Sequence, residues 1–121
     1  MMFNKNIEAV AKVNSYFTQV LVTGNHLQIV VSSIPPKNEI GEKLHEADQV
    51  FIIVEGEGFA MVAGEKSPVT ADHMVFVPAN TVHNMVNTGA GDLKLYTIYS
   101  PPHHKPGTIH STKAEAASEG L

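Results

Sequence analysis

From residue 16 to residue 99 the chain alternates short apolar runs with turn signals, and this rhythm limits what it can fold into. The candidate strands are 16–22, 27–33, 39–45, 50–54, 59–62, 67–70, 74–77, 82–86 and 93–99, roughly one every 8–12 residues. The run 50–54 is continuously apolar and rich in β-branched residues, as a buried strand should be. The segment 39–45 is polar and reads as a strand or an extended loop. Between the runs stand Thr23-Gly24-Asn25-His26, Gly56-Glu57-Gly58 and the turn 87–92, all rich in residues that tolerate positive φ. Pro35-Pro36 and Pro101-Pro102 end regular pairing. No long amphipathic helix separates the strands, so a parallel βαβ fold is not favoured. An all-β antiparallel sandwich or barrel remains.

The flanks differ. Residues 4–13 place apolar side chains at 7, 10 and 13, the spacing of a short amphipathic helix with one sticky face. After residue 100, Ser111 or Thr112 is suited to cap a short helix over 113–119, with fraying beyond it. A length of 121 residues suits a single domain, with a barrel at about 17–100 and a tail at 101–121.

What is missing narrows the chemistry. With no Cys there is no disulfide, thiolate ligand or thiol nucleophile. All 8 basic residues are Lys, so no guanidinium is present to clamp a phosphate or carboxylate through two bonds. A net charge of −4 without a basic cluster argues against nucleic acid and anionic membranes. No apolar run approaches the roughly 20 residues of a membrane span, and no secretory signal is visible, so a cytoplasmic location is expected.

Two histidines stand at the ends of apolar strands, His45 and His83. A lone imidazole is usually structural. A pair, with Gln49 four positions after the first, forms a candidate pocket of three metal ligands, because imidazole and amide oxygen suit a borderline to hard divalent ion. Positions 43, 45 and 49 share parity and point the same way along an extended chain. Phe51 and Met85 share parity with Gln49 and His83 and are candidates to line the pocket, although core packing explains them equally well. Tyr96 and Tyr99 lie on opposite faces of one strand, so only one of them faces inward. His103, His104 and His110 either fold over the barrel mouth and supply a further ligand or a proton-transfer group, His104 being the pocket candidate among them, or belong to a solvated tail.

These residues resemble the cupin superfamily in its small single-domain bacterial form. The second cupin motif runs Gly, five residues, Pro-x-Gly, two or more residues, His, three residues, Asn. It is matched by Pro78, His83 and Asn87, with Asp72 and Asn80 at its glycine positions. The first runs Gly, five residues, His-x-His, three or four residues, Glu, six residues, Gly. It is matched at His45 and Gly56, with Gln49 in the acidic position and Lys43 where the first histidine belongs. An ammonium has no lone pair to give a cation. Lys43 is therefore a mouth lysine or an acid, base or anion contact, and the ligands that remain are His45, Gln49 and His83.

The resemblance implies a double-stranded β-helix, a jelly-roll barrel of two antiparallel sheets with the pocket inside. It also implies a bound divalent metal (Zn, Fe, Mn or Ni), a small-molecule ligand or substrate, and a homodimer for which the apolar N-terminal segment is a candidate contact. The expected function is a metal-dependent enzyme of isomerase or epimerase type acting on a small sugar or keto compound. The alternatives are a metal-dependent dioxygenase and a non-catalytic binding protein. Without Arg a phosphosugar is not favoured.

Overall fold

The computed structural model describes residues 1–118. Asn6 opens the first helix, α1 (Ile7–Val13), by accepting the Ala9 amide on its side chain at 3.0 Å. Eight strands follow: β1 (Thr18–Thr23), β2 (Gln28–Ile34), β3 (Asp48–Glu55), β4 (Glu57–Val62), β5 (Glu65–Thr70), β6 (Met74–Val77), β7 (His83–Asn87) and β8 (Leu93–Ser100). A two-residue strand β9 (Ile109–His110) and the helix α2 (Lys113–Ser118) complete the described chain. Thr112 rather than Ser111 caps α2, its hydroxyl accepting the Glu115 amide at 3.2 Å. Glu119, the expected end of that helix, and the fraying expected after it lie outside the described residues.

The strands form two antiparallel sheets, one of six strands in the order β6-β3-β8-β2-β1-β9 and one of three in the order β5-β4-β7. Phe51, Ile53, Leu93 and Leu95 from the large sheet meet Ala60, Val69 and Met85 from the small one in the main core. Full burial of one such side chain contributes roughly 1.5–3 kcal/mol. Residues 39–45 take the extended-loop form of the two expected for them, running along β7 and touching it through isolated bridges at Glu39 and Lys43. One expectation changes here. The face of α1 offered above as a dimer contact is used within the chain, where Ile7, Val10 and Ala11 pack on Val31, Val54 and Tyr96. Only Val13 of that helix's apolar spacing is left outward.

The motif positions explain themselves mechanically. The glycine position of the first motif that precedes Lys43 is Lys37, and its φ is +64°; Gly56, at the other end, has φ +97°. Asp72 and Asn80 adopt φ +73° and +59°. All four glycine positions thus keep left-handed backbone, and three do so without glycine, at a cost of about 1–2 kcal/mol each that is lowest for Asp and Asn. Asn87 is a buried staple: its amide donates to the carbonyls of Ile34 and Gly91 at 2.8 and 2.9 Å and its Oδ1 accepts the Gly89 amide at 2.8 Å. It ties β7 to the end of β2 and to the turn before β8. Gly58 is required by close approach, since a Cβ there would stand 2.0 Å from the Val86 carbonyl oxygen.

Candidate metal centre

Alternation along β2, β3 and β8 turns Val30, Ser32, Gln49, Phe51, Thr97 and Tyr99 toward one cavity. Lys43, His45 and His83 face it from the opposite side, and His103 and His104 close its mouth. The cavity leaves about 50 Å³ of room for water-sized groups, enough for an ion and a few small ligand atoms or waters.

His45 is placed by its neighbours' backbone. Its carbonyl accepts the Asn80 amide at 2.6 Å, and Asp48 Oδ1 accepts the Ala79 amide at 2.9 Å, so the Pro78–Asn80 turn grips the segment that carries it. Lys43 and His83 exchange backbone hydrogen bonds of 2.9 and 3.0 Å. The His45 ring centroid lies 5.2 Å from that of His83 and 4.0 Å from that of His103. His83 Nδ1 is 2.8 Å from the Thr81 carbonyl oxygen. A carbonyl only accepts, so Nδ1 carries the proton and Nε2 keeps its lone pair.

Gln49 is 2% exposed, and its side-chain amide hydrogen-bonds the Tyr99 hydroxyl. Its Oε1 is buried with no hydrogen-bond partner. Leaving such an acceptor bare costs roughly 1–3 kcal/mol, which a bound cation or donor would recover. Burial holds the imidazoles neutral. His45 is pushed down to about 3 by burial, then by the proximity of His103, His83, His104 and Lys43. His104 falls to about 4 by burial, with His103, His110 and Lys43 adding to it. His103 is lowered by burial and by Lys43. His83 is lowered by burial, against which its bond to the Thr81 carbonyl acts. Burial raises the Tyr99 hydroxyl, so it stays a neutral donor.

Among the described residues no three His, Cys, Asp or Glu side chains already surround one point as metal ligands. His45 is in ring contact with both His83 and His103, and Gln49, with its bare oxygen, lines the same cavity. Neutral nitrogens and an unsatisfied amide oxygen in one cavity fit a borderline divalent ion in kind.

Of the residues singled out in the sequence, Lys43, His45, Gln49, Phe51, His83, Tyr99, His103 and His104 line the cavity. Three do not. His110 is buried in β9, opposite Thr18 of β1. Met85 is wholly buried in the main core and is not part of the cavity wall. Tyr96 faces outward under α1. The sequence reading missed Gln28, which is fully buried and binds the backbone of both His103 and His104. Its one signal was an amide in the otherwise apolar start of the run 27–33.

A family model described as the cupin domain matches residues 30–99. An uncharacterized Bacillus subtilis protein, YrkC, is 39% identical over 96% of this chain, which spans 66% of that protein's length. The crystal structure of BH2720 from Bacillus halodurans is 39% identical, covers 98% of this chain and 95% of its own, and superposes with a TM-score of 0.96. A Thermotoga maritima protein named oxalate-binding protein is 29% identical over 54% of each chain. Among the described residues no helix is long and apolar enough to cross a membrane.

Proposed function

This chain belongs to the cupin family, a double-stranded β-helix of two antiparallel sheets, and on that premise we propose that it is a metal-dependent enzyme acting on a small oxygenated molecule. The observation that carries the reading is the bare, buried Oε1 of Gln49 beside two imidazoles kept neutral. His45, Gln49 and His83 would hold the ion. When bound, it supplies Lewis-acid polarisation of a carbonyl or hydroxyl oxygen.

The chain's own groups then divide the remaining work. Lys43 presents a cation to a substrate oxygen from the cavity wall. Tyr99 keeps its proton and donates a hydrogen bond. His104 is neutral at pH 7 and can accept a proton at the mouth; held near 4, it is a weak base that gives the proton back readily. Phe17, Val30, Ile40 and Phe51 exclude water from the apolar side. This set suits proton transfer beside a carbonyl, hence isomerase or epimerase chemistry on a hydroxy-carbonyl compound. An oxygenase suits it less well, because no carboxylate stands among the ligands.

A second reading is a non-catalytic binder of a small anion. It is favoured by Lys43 and Gln49, which replace a ligand and a negative charge of the family motif and leave the site positive. The name of the Thermotoga relative agrees with it. Protein loaded in turn with Zn, Fe, Mn and Ni and offered panels of hydroxy-carbonyl and catechol compounds separates the readings. Turnover that follows metal content and falls in His104→Ala supports the enzyme. Ligand-dependent melting shifts without turnover support the binder.

Homodimerisation belongs to the same proposal. What supports it is the outer face of the large sheet, where Met74 and Phe76 on edge strand β6 are 68% and 52% exposed and pair with Ile52 and Val50. A single sedimenting species of 13.1 kDa would remove it.

A further inference from the structure

We infer that His103 supplies the third imidazole of the centre, in place of the histidine lost at position 43, and that Gln28 is the residue that positions it. The inference rests on the metal reading above and deepens it. Cupin ligands come from the two strand-borne motifs; His103 belongs to neither and arrives from the segment after β8.

Of the two readings of that segment, a cover over the barrel mouth or a solvated tail, its contacts favour the first. Gln28 Oε1 accepts the backbone amides of His103 and His104 at 3.1 and 2.9 Å. Its Nε2 donates to the His104 carbonyl at 2.7 Å and to the Thr23 hydroxyl at 3.0 Å. One buried side chain thereby commits its acceptor and its donors, three of the four bonds going to the backbone of two adjacent loop residues. Gln28 itself is fixed in β2 opposite Tyr99 of β8. The effect is to fix the backbone from which the His103 ring projects, with that ring stacked on Tyr99 at 5.2 Å and 29° and 4.0 Å from His45.

The chemistry needs such a group. Two imidazoles and a neutral amide oxygen hold a borderline cation weakly, and a third nitrogen restores a set able to retain it. His45 is the ring common to the His83 and His103 contacts; the three rings do not converge on one point as they stand, and sharing an ion requires the His103 ring to turn. A clamped backbone allows that rotation, whereas a free tail would pay for it in chain entropy.

The test is titration of the metal-free protein with Co²⁺, reading affinity by chelator competition and the ligand set by visible absorption. His103→Ala should weaken Co²⁺ binding at least about tenfold, the lower end of what loss of even an outer-shell partner does, and shift the absorption band. Gln28→Leu should give a smaller loss with the same band shift, while His104→Ala changes neither. If wild type binds Co²⁺, His83→Ala does not, and His103→Ala matches wild type in affinity and spectrum, the inference falls and the metal reading stands. If wild type binds no Co²⁺, Zn²⁺ or Fe²⁺, both fall. If Gln28→Leu does not fold, His103→Ala still decides the ligand, and Gln28→Glu, which keeps the acceptor, decides the positioning: it should retain the wild-type band, and a shifted band overturns Gln28's role.

Discussion

His83→Ala is expected to abolish stoichiometric binding of a divalent cation, raising its dissociation constant at least about 100-fold, the upper end of what loss of a supporting outer-shell contact costs. The size follows from how fully this ring is committed. Its Nδ1–H donates to the Thr81 carbonyl at 2.8 Å, so the tautomer and ring plane are fixed and the Nε2 lone pair is set against the cavity. Burial lowers its pKa, so no proton competes with the cation near neutrality. With a side chain only 2% exposed, it has no solvated rotamer in which to escape the site. Elemental analysis of protein purified without a chelating tag measures the effect. His83→Gln is the companion variant, filling the space and giving an amide in place of the imidazole. A full complement of metal retained by both would remove His83 from the centre.

Why these residues were legible in advance is a matter of periodicity. A strand repeats every two residues, so fixing Gln49 as inward fixes Phe51, and in the paired strand β8 Thr97 and Tyr99 with it. The same rule sent Tyr96 to the outer face. Parity gives a side chain's direction and says nothing of what it meets there, which is why Met85 shares parity with His83 and still packs in the core instead of lining the cavity. The left-handed turns at Asp72 and Asn80 were readable because Asp and Asn are the residues that tolerate them best after glycine; Lys37, which also adopts one, carries no such mark.

Which of two paths the C-terminal histidines take, over the mouth or into solvent, was not legible, for a different reason. The bond from Gln28 to His104 spans 76 positions and connects a strand to irregular chain, where no period relates the partners. Strand β9 is only two residues long, too short to leave a pattern, and its pairing with β1 at Thr18 and Gln19 draws the tail across the sheet edge. A polar residue inside an apolar strand is the visible half of such an arrangement. The other half appears only once the fold brings the loop over it.

Acid should destabilise the metal-free protein by about 3 kcal/mol between pH 6.5 and pH 4, the effect of one net proton taken up on unfolding at about 1.4 kcal/mol per pH unit. The direction is set by the imidazoles. An unfolded chain protonates its histidines near 6.5, whereas in the folded state burial and mutual repulsion hold His45 down to about 3 and His104 to about 4. His83 and His103 are lowered as well. Between those values the unfolded state binds more protons, so stability is complete above 6.5, falls as the pH drops below it, and levels off only near 3. Four shifted groups acting independently would give a steeper fall. One net proton is the figure adopted because the rings are partly exposed at the mouth and the first to charge relaxes toward water, which screens the rest. Urea unfolding at pH 7.5, 5.5 and 4.5 in the presence of chelator measures the slope. The double variant His45→Gln, His104→Gln removes the two most depressed rings and should flatten it by at least half. A midpoint that does not move between pH 7.5 and 4.5 would mean that the cavity accepts charge at no cost, and the neutral imidazoles on which the metal reading depends would have no physical basis.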